Sequence, residues 1–257
     1  MRHVFRHSMR QCYSFILLIC SALTLLTSVS AADSEKVIFS TSNVKPWGYM
    51  EEGIQKGLLV DLTNALTAKT GMTVENNIRP YPRVIREFKN GSIDLAFMFR
   101  SPQAEEIGIP VEQILTTKIV LIALEDAPEI SNLDELSKKY VGHISGSKYG
   151  AVFDNSNAFN KVPLDSLEQG IKMLLSKRLY AVASAEQTFY YTLKELEIPQ
   201  NKIKPIMIVN QVPVDLYLSK KSLKVHLIET YRQAIVQLKK EGVLNTIFYE
   251  GDFMPVQ

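Results

Sequence analysis

The sequence is poor in cysteine and histidine. Its two cysteines, Cys12 and Cys20, both lie in the first twenty residues, so the chain beyond residue 31 has none. This excludes a disulfide framework and a thiol nucleophile from that part of the chain. Only His143 and His226 lie beyond residue 31, too far apart for an HExxH motif. We therefore predict no metal site and a fold stabilised by an ordinary hydrophobic core.

Motifs for nucleotide binding and serine hydrolysis are also absent. The sequence contains no GxSxG, no Walker phosphate loop and no GxGxxG. These motifs supply a nucleophile elbow or a backbone cradle for phosphate, so their absence argues against a serine hydrolase and a dinucleotide enzyme. From the motifs we predict no cofactor and no catalytic residue.

The first 31 residues are predicted to be a signal peptide. Three arginines and no acidic residue precede an apolar run at 15–26, and small residues follow at 28–32. These parts are typical of a cleavable secretory signal, cut here after Ala31 or Ala32. The run has about 12 residues and a membrane span needs roughly 20, so an uncleaved anchor is the weaker alternative. Lipoprotein processing at Cys20 is disfavoured by the bulky Ile19 before it. We expect a periplasmic protein.

The chain that remains after such cleavage has little net charge. Removing the three arginines of the signal leaves 26 basic residues against 27 acidic ones. No basic tail or block of lysine and arginine remains, so nothing indicates a nucleic acid or a lipid surface as a partner. About 226 residues (257 − 31) are enough for one large domain or two small ones. We expect a soluble, monomeric, globular protein.

Strands and helices are predicted to alternate along this chain. Residues 37–41, 72–78 and 95–99 are apolar runs suited to buried strands. Leu59, Leu62 and Leu66 fall on one face of a helix that Gly71 ends, and Pro82 begins the next helix. Strand, helix, strand, helix, strand predicts βαβ units and a parallel sheet covered on both faces.

The second part of the chain repeats this alternation. Residues 140–144 and 179–183 are predicted strands, and residues 189–196 and 223–241 are predicted helices. Asp165, with Glu168 three residues later, resembles a capping box for a helix with Leu167, Ile171 and Leu174 on its stripe. Ligands of open parallel sheets bind beyond the carboxyl ends of strands, so the loops after these strands are the candidate site.

Four stretches resemble the family 3 extracellular solute-binding proteins, the periplasmic amino-acid-binding type of ABC transporters. They are KPWGY at 45–49 with GLLVDL at 57–62; YPR at 81–83 with KNGSIDL at 89–95; VG at 141–142 with SGS at 145–147, DSL at 165–167 and KRLYA at 177–181; and VDLYL at 214–218 with LKKEG at 238–242. All four occur in order at the family's spacing and cover nearly the whole chain after residue 32.

The resemblance implies an α/β fold of two lobes, the type II periplasmic binding protein fold. Each lobe would be a mostly parallel sheet flanked by helices, with two hinge crossings near 117–124 and 212–218. Lobe 1 would contain residues 33–120 and 218–257, and lobe 2 residues 121–217. Such proteins close like a hinge on a small ligand.

The sequence departs from the family at both charged anchors of its amino-acid clamp. In that family an arginine after the third strand grips the ligand carboxylate, and an aspartate in lobe 2 holds the ammonium. The matching stretches here, SPQA at 101–104 and ASAE at 183–186, have Ala104 and Ala185 at those places. Arg100 and Glu186 are the neighbouring residues that could replace them. An ordinary α-amino acid is therefore one candidate ligand among several.

We predict ten ligand-binding residues, most of them on loops or helix starts after strands. Arg100 could grip a carboxylate with its planar fork, the alternative being a surface ion pair. Arg83 places a positive charge at a predicted helix start, where it is unfavourable because the helix dipole is positive there. This placement favours a bound anion nearby. Ser147 and Lys148 follow Gly146 at a predicted helix N-terminus that suits an anion, the alternative being an ordinary turn. Glu186 could take a ligand cation or pair with a surface lysine. The others are Trp47, Tyr49, Tyr81, Phe99 and Ser101, with the aromatic residues alternatively serving as packing.

Two classes of function fit this sequence. The first is a binding protein that captures a small polar, carboxylate-bearing solute by hinge closure and delivers it to an ABC importer or a sensor. The second is an enzyme similar to the periplasmic cyclohexadienyl dehydratases, which eliminate water and carbon dioxide from prephenate or arogenate. That reaction needs a general acid in the cleft, and Glu186 is the nearby carboxylate that could serve. We expect the binding protein, without enzymatic activity.

Overall fold

The computed structural model of the protein describes residues 36–250 and residue 254. The predicted signal peptide, its cleavage site and both cysteines lie outside the described residues. The strands are β1 (Val37–Ser42), β2 (Tyr49–Glu51), β3 (Ile54–Lys56), β4 (Val74–Arg79), β5 (Leu95–Phe99), β6 (Gly108–Leu124), β7 (Tyr140–Ile144), β8 (Asn160–Leu164), β9 (Ala181–Ala185) and β10 (Ile203–Ser219). The α-helices are α1 (Leu58–Thr70), α2 (Tyr81–Asn90), α3 (Pro102–Ile107), α4 (Ala151–Asp154), α5 (Leu167–Leu175), α6 (Glu186–Glu195), α7 (Ile228–Lys240) and α8 (Val243–Tyr249).

Eight of these strands form one sheet in the order β4-β1-β5-β10-β6-β9-β7-β8. β1 pairs in parallel with β4 and β5, and β7 pairs in parallel with β8 and β9. We call β4, β1 and β5 the first half of the sheet, and β9, β7 and β8 the second half. The parallel pairing within each half confirms the predicted βαβ alternation. β2 and β3 form a separate hairpin.

The two halves are joined by β6 and β10, which each have 17 residues. They pair antiparallel along their whole length, from Ile203–Leu124 to Ser219–Gly108, with several shifts of register. β10 also pairs with β5 and β6 with β9, so each central strand extends one half of the sheet. The crossings expected at 117–124 and 212–218 lie on these strands. The exact lobe boundaries remain a prediction.

Glycines end the first two helices, as predicted for Gly71. Gly71 follows α1 at φ 67° and donates its N–H to the Thr67 carbonyl. Gly91 follows α2 at φ 84° and donates to the carbonyls of Glu87 and Phe88. Both glycines have left-handed backbone conformations that other residues adopt at a steric cost, and this satisfies carbonyls left free at the helix end.

Several predicted boundaries were wrong by one or more residues. α5 is capped by Ser166, whose hydroxyl accepts the Gln169 N–H at 3.2 Å, and not by Asp165. α6 begins at Glu186, directly after β9, and not at residue 189. The helix expected from residue 223 begins as α7 at Ile228, after a 3₁₀ turn at Val225–Leu227. The hairpin β2–β3 and strand β8 had not been predicted.

Buried apolar side chains cover both faces of the sheet. Phe39 of β1 is fully buried and packs against Phe97 and against Tyr231 of α7, with ring centroids 5.8 and 5.6 Å apart. On the second half, the stripe predicted for α5 is buried in a cluster with Val182 of β9. The contact between Phe39 and Tyr231 places helix α7 on the first half of the sheet. Within residues 36–250, none of the helices combines the length and the apolar character required to cross a bilayer.

Candidate functional site

The loop 45–49 contacts helix α6 of the second half. The indole Nε1 of Trp47 donates to the hydroxyl of Thr188 at 2.9 Å, and both residues are buried. The start of α1 holds the loop in place. The N–H groups of Leu58 and Leu59 donate to the carbonyls of Pro46 and Trp47. The loop thus satisfies helix donors that would otherwise be free, and it presents Trp47 to the second half.

A second contact joins the same loop and helix. The Lys45 ammonium lies 2.6 Å from a carboxylate oxygen of Glu195 and also stands over the rings of Tyr49 and Tyr191, at 5.0 and 5.9 Å from their centroids. The Tyr191 hydroxyl donates to the Tyr49 hydroxyl at 3.2 Å. The hydrogen bond to Glu195 raises the pKa of Lys45, and burial raises the pKa of Tyr191. These groups hold an ammonium between a carboxylate and two aromatic rings.

The first turn of α6 lies against β6. The Glu186 carboxylate accepts from the Lys118 ammonium at 3.3 Å. Gln187 is fully buried, and its Oε1 accepts from the Thr117 hydroxyl at 2.6 Å. Its Nε2 has no partner in the described part of the chain. Glu186 therefore pairs with a lysine, which was the predicted alternative to binding a ligand cation.

Arg100 is paired within the protein. Its Nε and Nη2 donate to the two carboxylate oxygens of Asp215, at 2.7 and 2.9 Å, and Nη2 also donates to Gln113 at 3.3 Å. Asp215 is 1% exposed, whereas 45% of the Arg100 side chain is exposed. The hydrogen bond to Asp215 raises the pKa of Arg100. Bidentate pairing fixes the plane of the guanidinium and leaves its outer edge accessible.

The neighbours of Arg100 serve the fold. Phe99 ends β5 opposite Val214 of β10. Ser101 caps α3, and its hydroxyl accepts the Ala104 N–H at 3.2 Å. The strand pairing of Phe99 and the hydroxyl of Ser101 therefore position the backbone that carries Arg100.

Tyr81 and Arg83 occupy the first turn of α2. Burial raises the pKa of the Tyr81 hydroxyl. Arg83 is exposed, and its Nε donates to the Glu87 carboxylate at 2.5 Å, one helical turn away. This pair compensates the cation at the helix start without an external anion.

Ser147 and Lys148 lie in a turn, so their predicted place at a helix N-terminus was wrong. The Ser147 N–H donates to the Ile144 carbonyl at 3.1 Å, and the following helix α4 begins three residues after Lys148 and has only four residues. Small residues at 145–147 close a tight turn here. Buried Tyr149 fixes this turn because its hydroxyl accepts the Ile144 N–H at 3.0 Å, and burial raises its pKa to about 12.

Among the predicted residues, the structure brings Trp47 and Tyr49 together with helix α6. Their partners Thr188, Tyr191 and Glu195 had not been predicted. These three residues recur at i, i+3 and i+7, so they share one face of α6. That polar stripe was the sequence signal that could have identified them.

A cavity of about 320 Å³ adjoins these contacts. Its lining comprises Pro46, Tyr49, Gln55, Lys56, Gly57, Leu58, Asp61 and Tyr191. The described part of the chain contains no cluster of three or more residues that could hold a metal ion.

Comparison with known proteins shows which families and structures are similar to this chain. The family model of the bacterial extracellular solute-binding proteins, family 3, matches residues 37–250. An ancestral arginine-binding protein bound to glutamine has 20% sequence identity and a TM-score of 0.67, over 84% of this chain and 96% of that one. The arginine-, lysine-, histidine-binding protein ArtJ from Geobacillus stearothermophilus has 15% identity and a TM-score of 0.68, over 84% and 96%. No curated protein matches the sequence significantly.

A third solved structure is of a different kind. It is a histidine kinase sensor domain with similarity to periplasmic binding proteins, with 16% identity and a TM-score of 0.70, over 83% of this chain and 94% of that one. At these identities the likeness shows the fold, which is that of the two-lobed periplasmic binding proteins. The predicted fold class is thereby confirmed.

Proposed function

Because the chain belongs to the bacterial extracellular solute-binding proteins of family 3, we propose that it captures a small polar, carboxylate-bearing solute by closure of two lobes. The lobes are residues 33–120 with 218–257, and residues 121–217, hinged on β6 and β10. The observation that carries the proposal is the buried hydrogen bond from Trp47 to Thr188, which joins a loop of one half to a helix of the other. Contacts of this kind form when two lobes close and break when they open.

Arg100 is the residue that we propose for the solute carboxylate. A guanidinium has five N–H donors, and Asp215 and Gln113 engage only Nε and Nη2. Among the described residues no group accepts from Nη1. Because Asp215 already fixes the guanidinium plane, a carboxylate can bind at the remaining edge with little further loss of side-chain entropy. Tyr81, Arg83, Phe99, Ser101, Ser147, Lys148 and Glu186 remain candidates for the rest of the site.

The captured solute would pass to an ABC importer or to a sensor. Both outcomes have precedents among similar folds, since one similar structure is the substrate-binding protein of an amino acid ABC transporter and another is a histidine kinase sensor domain. A periplasmic location and a monomeric state are part of the proposal, and the predicted signal peptide supports the former. The family is a solute-binding family, and we propose no catalytic step.

A thermal unfolding screen of the purified protein tests this function. The panel contains amino acids, di- and tricarboxylates, polyamines, short peptides and prephenate, and each carboxylate is tested beside an analogue that lacks this group. A ligand at about 100 times its dissociation constant adds about 2.7 kcal/mol to stability, which corresponds to a rise of roughly 5 to 10 °C. Stabilisation by carboxylates and not by their analogues supports the proposal. The absence of a response from every compound would argue against a simple solute-binding protein. Consumption of prephenate would favour the alternative, an enzyme similar to the cyclohexadienyl dehydratases.

A further inference from the structure

We propose that the cavity between Tyr49, Asp61 and Tyr191 is a second binding site, for a small organic cation such as an alkylammonium or guanidinium ion. We call it the cation pocket. It goes beyond the proposed function because it does not depend on which solute Arg100 holds. Its lining combines two aromatic rings, the Asp61 carboxylate and the side chain of Lys56 in a volume of about 320 Å³, which is within the range of small-molecule sites.

The charges in and beside the cation pocket leave one carboxylate uncompensated. The Lys45 ammonium pairs with Glu195 at 2.6 Å, and Lys56 forms a short ion pair with Glu51. Asp61 is accessible to solvent at the first turn of α1, and no ion pair with a described residue neutralises it. Desolvation alone raises its pKa, with no lowering contribution from Lys45 or Lys56. A bound cation would supply the missing charge.

The aromatic walls already accept one ammonium. Lys45 stands over both tyrosine rings, whose centroids are 6.2 Å apart with planes tilted by 52°. This intramolecular contact shows that the ring pair attracts a positive charge through its negative faces. The same two residues line the cavity that contains Asp61. Lys56 also lines the cavity, but its ammonium pairs with Glu51. An organic cation is favoured over a bare metal ion because the site offers aromatic surface and one unpaired carboxylate, and not a shell of oxygen ligands.

A cation in this pocket would contact both halves of the sheet. Asp61 and Tyr49 belong to α1 and β2, which adjoin the first half, and Tyr191 belongs to α6, which follows β9 of the second half. A ligand that touches Tyr191 and Asp61 together binds only when these elements are close. Cation binding therefore stabilises the arrangement in which loop 45–49 contacts α6.

Isothermal titration calorimetry with tetramethylammonium and guanidinium chloride tests the cation pocket, with sodium chloride as the ionic-strength control. Asp61→Asn keeps the shape of the side chain and removes its charge, so we expect affinity to fall at least about tenfold. Lys45→Met removes the competing ammonium and frees Glu195 and both rings, so we expect affinity to rise. Asp165→Asn, another exposed aspartate, is the matched control and should leave binding unchanged.

Opposite shifts in the two variants support the site. The proposal is overturned if neither cation produces heat beyond that of sodium chloride, or if Asp61→Asn binds as tightly as the wild type. The thermal unfolding screen is run on Asp61→Asn as well. A carboxylate response that persists in this variant while cation binding is lost separates the two sites. Cation binding without any carboxylate response would refute the proposed function and leave the cation pocket standing.

Discussion

The indole N–H of Trp47 and the hydroxyl of Thr188 form a buried hydrogen bond of 2.9 Å between positions 141 residues apart in the chain. The bond links the loop after β1 to the first turn of α6. Its neighbours, Lys45 with Glu195 and Tyr49 with Tyr191, follow the same face of the helix. The contact surface between the loop and α6 is thus polar at its centre and ordered by three side-chain pairs.

Removing the hydroxyl of Thr188 should destabilise the protein. Thr188→Val keeps the shape and leaves the buried Trp47 N–H without an acceptor, at a cost of about 1 to 3 kcal/mol. Thr188→Ser retains the hydroxyl and is the control, expected to lose less. Urea unfolding followed by circular dichroism measures both. Equal stability of the valine and serine variants would show that the hydrogen bond contributes nothing.

Arg100 and Asp215 should show strong energetic coupling. Arg100→Gln leaves the Asp215 carboxylate buried without a cation, and we expect a loss of about 2 to 3 kcal/mol, reduced because Arg100 is half exposed. Adding Asp215→Asn removes the buried charge and should recover part of this loss. A double-mutant cycle from denaturant unfolding gives the coupling. Additive losses would mean that the pair is energetically independent.

Tyr149 should make stability depend on alkaline pH. Its hydroxyl is buried and its folded pKa of about 12 exceeds the ordinary value of 10.0. The unfolded chain therefore releases this proton first, so the stabilisation is complete below pH 10 and is lost as the pH rises towards 12. The loss amounts to about 3 kcal/mol over that range.

Comparison with Tyr149→Phe isolates this contribution from that of the other tyrosines. We expect the difference in free energy of unfolding between wild type and variant to shrink as the pH rises from about 10 to about 12, the interval between the unfolded and folded pKa values. Guanidinium unfolding at a series of pH values measures the difference. A difference that stays constant over the series would contradict the predicted titration.

Gly57 should tolerate a side chain far less well than Gly71. Both have positive φ, at 122° and 67°. A Cβ at Gly57 would lie 2.6 and 2.7 Å from the carbonyl oxygens of Pro46 and Trp47, whereas nothing lies within 4 Å of a Cβ at Gly71. We expect Gly71→Ala to cost about 1 kcal/mol and Gly57→Ala roughly twice that or more, with displacement of loop 45–49. Calorimetric melting compares the two, and similar melting temperatures would refute the steric argument.

The sequence was sufficient to predict those helix ends that depend only on a residue and its near neighbours. Gly71 and Gly91 end helices because their conformation follows from one residue and its near neighbours. The length of β6 and β10 was missed because it depends on pairing between segments about 100 residues apart, with register shifts that no periodicity records. Tertiary pairing of this kind determines where a strand ends.

The candidate site was less predictable for the same reason. Arg100 was identified from its place after a strand, but its partner Asp215 lies 115 residues further along the chain. No spacing rule connects the two. Thr188, Tyr191 and Glu195 form a polar stripe at helical spacing, yet their partners in loop 45–49 become neighbours only when α6 packs against that loop.

The Trp47 contact also makes the intrinsic tryptophan fluorescence sensitive to the position of loop 45–49. The sequence has one tryptophan, and its indole is buried and hydrogen-bonded to the opposite half. An indole that loses such a partner and meets water emits at longer wavelength. The wavelength of maximum intrinsic fluorescence should therefore report any separation of loop 45–49 from α6, and the proposed closure can be timed in solution without an attached dye.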